Sequence, residues 1–370
     1  MKRKYFKLAK TILAFILIGI MMITTAYPVQ AETSVSTISL SLSGKYAVIM
    51  DMDSGKVLYS KKGKTRCHNA STTKLMTAIV AVEKNKSLRK KIKISSNASS
   101  TIAVKLGMST GDSYYLRDLL HGMLLMSAND TAVAIAEGTS GSVDRFMKEV
   151  NKKAKEIGCK NTQFGTPNGL RSSKTHYTTA YDLALITRYA YNNETIRNIL
   201  KKKSYSFKST KGRRHRVTST NQLLRSKSYY SVGKTGNGQT AKYCYTGVYT
   251  YQGHSYVIVT LGSSYEGGRW SDAKKMMAAC KKNAKEVRKN LTLNKTAMEI
   301  KVEESAELKV QKIKAKVKWF SKNEEIATVD KNGKVTGKKE GQTIIAAKVY
   351  GKTLKCKVKV IEGTATPYVQ

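Results

Sequence analysis

Three short patterns in the chain carry residue types that could do covalent chemistry. Ser71-Thr-Thr-Lys74 sets a hydroxyl and an amine three residues apart, and on a helix that spacing puts both on one face. A serine becomes a nucleophile only when a base takes its proton. Lys74 can be that base if burial or neighbouring positive charge holds its amine neutral. The start of the same helix aims backbone N–H groups at any oxyanion formed beside Ser71. Ser127-Ala128-Asn129 offers a second hydroxyl and an amide. Lys234-Thr235-Gly236, followed by Asn237-Gly238, offers a charge and a hydroxyl to a carboxylate, with Gly236 letting a substrate backbone lie against the strand edge. Each pattern alone has an ordinary reading: Ser71 as a helix cap, Ser127 to Asn129 as an interhelical turn capped by Asp130, Lys234 as a hairpin lysine. All three in this order, each in a fitting local context, are harder to account for by these ordinary readings than any one of them alone.

The elements that must hold these residues are legible from periodicity. Tyr46 to Tyr59 reads as two strands joined at Asp53-Ser54-Gly55. From Ser71 onward Leu75, Ala78, Ile79 and Val82 fall at helical spacing. Helical patterns recur over 116–126, 131–137, 143–157 and 180–191. The period then returns to strands over 231–236, 243–251 and 256–262, with Gln252-Gly253 as a tight turn, before a last helix over 272–289. Strands, helices, strands and a closing helix predict an α/β unit, an antiparallel sheet with a helical domain, in which the sheet joins both ends of the segment 44–289.

Past Asn290 the composition changes to short alternating segments over 306–310, 317–320, 327–329, 334–336, 343–350 and 354–360, as an antiparallel β-sandwich requires. The run Val317-Lys-Trp-Phe-Ser-Lys-Asn-Glu-Glu-Ile-Ala-Thr-Val-Asp-Lys-Asn-Gly-Lys-Val-Thr-Gly337 resembles the group 2 bacterial immunoglobulin-like modules, in the W-x-S-x-N-x-x-I-A-x-V-x-x-x-G-x-V-x-G pattern. That resemblance implies an all-β immunoglobulin-like sandwich over 290–362, displayed at a surface as a spacer, wall-binding unit or adhesin.

The whole chain has 370 residues with 67 Lys and Arg against 25 Asp and Glu, a formal charge of +42. Such an excess calls for a polyanionic neighbour: nucleic acid, acidic lipid or anionic cell-wall polymers. The first 31 residues narrow that choice. A basic start to Lys10, an apolar run over 11–26 and Val29-Gln30-Ala31 read as a cleaved export signal, with a Ser/Thr-rich flexible linker over 32–43. An exported protein meets little nucleic acid, so that partner is excluded. Cys67, Cys159, Cys244, Cys280 and Cys356 are odd in number and form no C-x-x-C pair; they read as small buried hydrophobes, with one long-range disulfide left open. Five scattered His residues suggest no metal site and no cofactor.

The series S-x-x-K, S-x-N, K-T-G resembles that of penicillin-binding proteins and serine β-lactamases. Within that group, 46–289 is similar to the low-molecular-mass serine-type D-alanyl-D-alanine carboxypeptidases, through Ala70 to Ala78, Ser127 to Ala132, Phe164-Gly-Thr-Pro-Asn-Gly-Leu170, Thr178 to Ala184 and Val232 to Gly236. The resemblance implies a β-lactamase/transpeptidase-like fold. It also implies Ser71 as nucleophile, Lys74 as its base and Ser127 as a proton relay to the leaving amine. Asn129 would bind the substrate backbone, Lys234 and Thr235 the terminal carboxylate, and the N–H groups of Ser71 and Asn237 the oxyanion. The implied substrates are peptidoglycan stem peptides, and the implied inhibitors are β-lactam antibiotics. Asn237 departs from the aromatic or His common after K-T-G, and the tail 363–370 is too short and polar for an amphipathic membrane helix.

Three other functions compete. A class A β-lactamase would need an acid in the 164–170 stretch, and none is there. An endopeptidase would use the same site with different cleft access. A wall-binding or adhesive protein with an idle catalytic fold would have no use for the intact Ser71, Lys74, Ser127, Asn129 and Lys234. The basic runs 201–203 and 211–216 read as solvated faces lying away from the three patterns.

Overall fold

The computed structural model describes residues 38–85, 87–170 and 175–362. The export signal, the start of the linker and the tail 363–370 lie outside the described residues. The β-forming run Tyr46–Asp51 (β1) turns at Asp53 to Gly55 into Val57–Lys61 (β2). Short strands Lys91–Lys93 (β3) and Ser113–Tyr115 (β4) pair as a hairpin arm, and so do Ser204–Lys208 (β5) and Arg214–Thr218 (β6). Ser231–Gly238 (β7), Lys242–Tyr251 (β8) and His254–Ser263 (β9) complete an antiparallel sheet of order β2-β1-β9-β8-β7. Strands from the early and late parts of the segment 44–289 therefore meet in one sheet, as the sequence predicts. Nearly every residue of β1 and β9 is buried, because both faces of the sheet are covered.

The helices are Lys74–Lys84 (α1), Ser96–Ser99 (α2), Leu116–His121 (α3), Asn129–Ser140 (α4), Val143–Ile157 (α5), Ala180–Asn192 (α6), Glu194–Leu200 (α7) and Glu266–Lys289 (α8). α8 covers one face of the sheet with Trp270, Met276, Met277 and Cys280 against Ile49, Tyr245 and Ile258. On the other face Leu183 and Ala184 of α6 meet Val48, Met50 and Val257. α1 lies inside the helical region, and every residue from Lys74 to Ala81 is buried. Caps fix the ends: Ser142 accepts from Arg145 N and Thr179 from Asp182 N, while Gly158 closes α5 in the left-handed conformation.

Several expectations are corrected. The helix read over 116–126 is α-helical only to His121 and widens into a π turn over Gly122–Met126. The last helix begins at Glu266, six residues before the periodic signal at Asp272, because its first turn is rich in glycine. α7, α2 and both hairpin arms escaped notice, being too short to show a period. The linker is not free to its end either. Leu42 is in the core, and Lys61 and Lys275 donate to the carbonyls of Leu42 and Ser41. The alternating leucines of Ser-Leu-Ser-Leu-Ser cover Trp270 and its neighbours, a role masked by the serines between them. All five cysteines are free thiols, four of them buried.

The C-terminal strands form two sheets. One has the order β10-β16-β15-β12, from Ala297–Lys301 (β10), Ser305–Glu307 (β11), Lys318–Ser321 (β12), Ala327–Val329 (β13), Lys334–Gly337 (β14), Gly341–Val349 (β15) and Lys352–Ile361 (β16); the other has the order β11-β14-β13. Leu308, Val335, Ile345, Cys356 and Val358 fill the space between them. This sandwich is tied to the larger sheet by Tyr350. Its hydroxyl donates to Asp53 Oδ2 at 2.9 Å and its ring stacks on His254 at 3.9 Å. Arg288 donates to the Gly351 carbonyl, and Lys352 to those of Arg288 and Leu291.

Asp272 pins the N-terminal segment to α8: its carboxylate accepts from Ser43 N at 2.9 Å, Gly44 N at 2.7 Å and the Thr260 hydroxyl at 3.2 Å. Asp272→Ala would strand two backbone donors in a site that is 1% exposed. The expected loss is about 3 kcal/mol in urea unfolding with little change in slope, and Asp272→Asn should lose less. A loss within ~0.5 kcal/mol would show that this segment does not contribute to the folded core.

Candidate active site

Ser71 lies in a tight 3-10 turn, Ala70–Thr73, directly before α1, so the hydroxyl and Lys74 share one helical face although the α-helix itself begins at Lys74. Ala70 is held at φ 46°, a strained value for a residue with a Cβ. The turn is held from three sides. Thr73 Oγ1 donates to the Ala70 carbonyl, and His176 Nε2 is 3.1 Å from the same hydroxyl. Gly165 N donates to His176 Nδ1, so Nε2 carries the ring proton and donates to Thr73. Burial pushes the His176 pKa down to about 4, keeping the ring neutral. Gly169, at φ 79°, closes the third side: a Cβ there would lie 2.2 Å from the Ala70 carbonyl oxygen.

Lys74 Nζ is fully buried and stands 2.9 Å from Ser71 Oγ, 2.7 Å from Asn129 Oδ1 and 2.9 Å from the Asn168 carbonyl oxygen. The Asn129 amide donates through Nδ2 to the Ile102 carbonyl, which fixes Oδ1 toward the lysine. A neutral amine has two N–H groups and one lone pair. Two acceptors occupy the N–H groups, and the lone pair is left for the Ser71 hydroxyl. Burial, and after it the positive charge of Lys234, push the Lys74 pKa well below that of a free lysine, while Asp130 pulls weakly the other way. Geometry and electrostatics thus agree on a base.

Ser127 sits at a left-handed kink, φ 69°, between the π turn and α4. Asn129 is the first residue of α4, earlier than the periodicity suggests, and Asp130 is not its cap. The Asp130 carboxylate instead accepts from the backbone of Leu106 and Gly107, while Asn129 N donates to the Val104 carbonyl. These bonds tie the loop over 101–110 to the start of α4. Lys234, mid-strand on β7, donates to Ser127 Oγ at 2.8 Å and to the Thr235 carbonyl at 2.9 Å. Burial first, and the Arg269 guanidinium second, bring its pKa down to about 7. Thr235 exchanges a hydrogen bond of 2.7 Å with Thr220, and Asn237 is exposed one residue before β7 ends.

All eight residues singled out from sequence thus fall in one region. The structure gives Gly236 a packing role as well. Its missing side chain is taken up by the serine turn, since a Cβ would come within 2.7 Å of the Asn69 carbonyl oxygen, so glycine there lets the Ser71 turn pack on β7. The basic run 211–216 also lies less far from the site than it reads. It forms the tip and second strand of the β5–β6 arm, Arg213 donates to the Gly107 carbonyl, and β6 leads straight to Thr220.

Arg269 was missed, because a lone arginine in α8 carries no sequence signal. Its side chain is buried, donates to the Gly236 carbonyl at 3.2 Å and to Glu266 at 2.6 Å, and leaves Nε without a partner among the described residues. Asn168 was missed as well: it contributes a backbone oxygen, which no side-chain pattern encodes. Among the described residues no group of three or more His, Cys, Asp or Glu is placed to hold a metal.

Residues 31–264 match the D-alanyl-D-alanine carboxypeptidase family, which covers more than half of the chain. The chain belongs to that family. Residues 288–360 match the group 2 bacterial Ig-like domain. Among curated relatives, the D-alanyl-D-alanine carboxypeptidase DacF of Bacillus subtilis is 33% identical over 273 residues, covering 72% of this chain and 70% of its own. A D-alanyl-D-alanine carboxypeptidase of Streptomyces sp. strain K15 is 34% identical over 66% of this chain and 89% of its own. The crystal structure of the Streptomyces K15 DD-transpeptidase superposes with TM-score 0.61 at 31% identity, covering 65% of this chain and 98% of that one.

The two lysines set a pH profile. Acylation by benzylpenicillin should rise with pH as Lys74 loses its proton, in a range far below that of free lysine, and fall above about pH 7 as Lys234 loses the charge a carboxylate needs. Arg269→Leu removes a neighbouring cation, which must raise the Lys234 pKa and move the alkaline limb to higher pH. An alkaline limb left in place would show that Arg269 does not act on Lys234.

Proposed function

We propose that this D-alanyl-D-alanine carboxypeptidase family member hydrolyses the terminal D-Ala-D-Ala bond of peptidoglycan stem peptides with Ser71 as nucleophile. The observation that supports this most is the buried Lys74 amine, 2.9 Å from Ser71 Oγ with its two other contacts both to acceptors. Ser71 Oγ attacks the carbonyl carbon as its proton passes to Lys74 Nζ. The backbone N–H groups of Ser71 and Asn237 receive the oxyanion; the first N–H groups of a helical turn have no acceptor of their own. Ser127, in contact with Lys234, relays a proton to the departing D-alanine amine. Asn129 orients the substrate backbone, while Lys234 and Thr235 take its terminal carboxylate, with Gly236 serving the packing between strand and turn. Water then attacks the ester, and Ser71 recovers its proton. A β-lactam acylates the same serine.

The proposed organisation is an export signal over 1–31, a linker over 32–43, the catalytic domain over 44–289, the immunoglobulin-like domain over 290–362 and a tail over 363–370. Extending the catalytic domain to 289 is supported by the packing of α8 beneath the sheet, although the family match ends at 264. Export to the outer face of the membrane is supported by the basic and apolar order of residues 1–31 and by the reaction itself, since family members act on peptidoglycan in the periplasm or cell wall. Among the described residues no helix is long and apolar enough to cross a membrane. With a charge of +42, the protein is suited to a neighbourhood of anionic wall polymers.

Intact-mass measurement during incubation with benzylpenicillin is expected to show one persistent adduct on the wild type and none on Ser71→Ala. Release of D-alanine from a peptide ending in D-Ala-D-Ala should fall by at least ~10³-fold in the same variant. Consumption of the drug without an accumulating adduct would indicate a β-lactamase instead, and an inert wild type would indicate a wall-binding protein with a silent site.

A further inference from the structure

A second concave feature lies away from Ser71, where the sandwich meets the larger sheet. It is a cleft of about 880 Å³, and six cations line it: Arg188, Arg197, Lys314, Lys316, Lys318 and Lys348. One wall belongs to the helical side. Arg188 is held there by donating to the carbonyls of Met52 at 2.7 Å and Asp53 at 2.8 Å, and Arg197 by donating to that of Tyr191 at 2.9 Å. The other wall belongs to the sandwich. Burial alternates along 314–318, with Ala315 and Val317 packed inward and Lys314, Lys316 and Lys318 exposed. Lys318 and Lys348 are direct cross-strand partners on β12 and β15, a like-charged pairing that costs stability.

Among the described residues lining the cleft, one carboxylate opposes these six cations. Among the described residues, none of the six cations forms an ion pair with a carboxylate. Asp53 is the one acid lining the cleft, and its carboxylate already accepts from Tyr350. Six cations brought together from two domains, fixed in part by backbone carbonyls and facing a single carboxylate, describe a site for a ligand that carries several negative charges in a row.

We propose that the cleft binds an extended phosphodiester-linked polyanion of the cell wall, a polyol phosphate chain threaded between the two domains. The proposal deepens the reading that the protein works among anionic wall polymers, and rests on it. A chain fits better than a lipid surface for two reasons. The cations line a concavity that a flat bilayer does not enter, and the apolar residues beside them, Met52, Val349 and Tyr350, are buried and unavailable for insertion. Arg188 and Arg197 suit phosphate oxygens through planar guanidinium groups, and the row of lysines suits successive phosphates along the chain. Lys234 lies on β7, separated by β8 and β9 from β1, which runs on into Met52 and Asp53, so the cleft and the serine site lie on different strands of the sheet.

The test uses the purified full-length protein and poly(glycerol phosphate) as probe, with uncharged dextran and phosphatidylglycerol vesicles alongside. Binding is measured over a salt series from about 50 mM to about 200 mM. Lys316→Glu with Lys348→Glu is compared with Lys91→Glu plus Lys93→Glu, which makes the same change of net charge at exposed positions of β3 outside the cleft lining. The cleft variant is expected to weaken polymer binding at least ~10-fold at low salt and to flatten the salt dependence, and the other variant by less than ~3-fold. Equal losses in both variants would overturn the proposal in favour of a diffuse field. Binding confined to the vesicles would overturn it in favour of lipid, and absence of polymer binding by the wild type would overturn it outright. Benzylpenicillin acylation and thermal midpoint are recorded for every protein and should match the wild type. Failure of acylation in the wild type would defeat the carboxypeptidase reading while leaving the binding result to decide the cleft.

Discussion

Burial of one amine organises this molecule. Lys74 is fully enclosed at the start of α1, and an ammonium ion there would carry a desolvation cost that its three neutral partners do not offset. Burial and the charge of Lys234 favour the uncharged amine, the form in which it can accept a proton from the neighbouring Ser71 hydroxyl. Packing and chemistry are therefore one requirement. α1 has to be the central helix, covered on all sides by α4, α5, α6 and α7, because a more exposed helix would let water restore the proton. Thr77, one turn on, donates to the Pro167 carbonyl and closes the same wall against the 165–169 loop.

Holding the serine to that amine needs backbone conformations that ordinary elements do not supply. Ala70 and Ser127 both adopt left-handed φ values, one immediately before Ser71 and the other at the second serine. Such strain persists only where surroundings over-determine it. Here the constraints can be named: His176 through Thr73 on the turn, the close approach of Gly169 to Ala70, and the Asp130 carboxylate holding the loop beside α4. Lys234 completes the arrangement by acting on two sites at once, through its hydrogen bond to Ser127 and through its charge on Lys74. Arg269 does to Lys234 what Lys234 does to Lys74, so a ladder of cations steps from α8 across β7 into the core of the helical region.

What the sequence made legible divides along physical lines. Side-chain groups at fixed short spacing, Ser71 with Lys74, Ser127 with Asn129 and Lys234 with Thr235, could be read because each set lies within four consecutive residues and needs no loop path to bring it together. The central strands and α1, α5 and α6 were equally plain, since each buries a regular face. Backbone contributions such as the Asn168 carbonyl could not be read, because they depend on loop path rather than residue type. Arg269 was hidden for a related reason: its partner, the Gly236 carbonyl, is 33 residues away along the chain and joins it only when α8 folds under the sheet. Leu40 and Leu42 were lost in a serine-rich context that resembles a linker. Gly236 was noticed for its freedom toward a ligand, while the further use of its missing Cβ, letting β7 approach the Ser71 turn, depends on a contact distant in the chain.

The cleft between sheet and sandwich bears on how such an enzyme reaches its substrate. The scissile bond of a stem peptide belongs to an immobile network, so encounter is limited by where the enzyme stays rather than by how fast it diffuses. A second site on the same rigid body raises the effective concentration of the first without any new contact at the serine. For that to work the two sites must keep a fixed relation, and the contacts around Tyr350 supply it: a ring stacked on His254, a hydroxyl on Asp53, and Lys352 and Arg288 closing the hinge. Those contacts form one side of the cleft itself, so the same residues that fix the sandwich also bring its lysines opposite Arg188 and Arg197. A sandwich joined by a loose linker would carry the same charge but could not hold two cationic walls around one polymer chain.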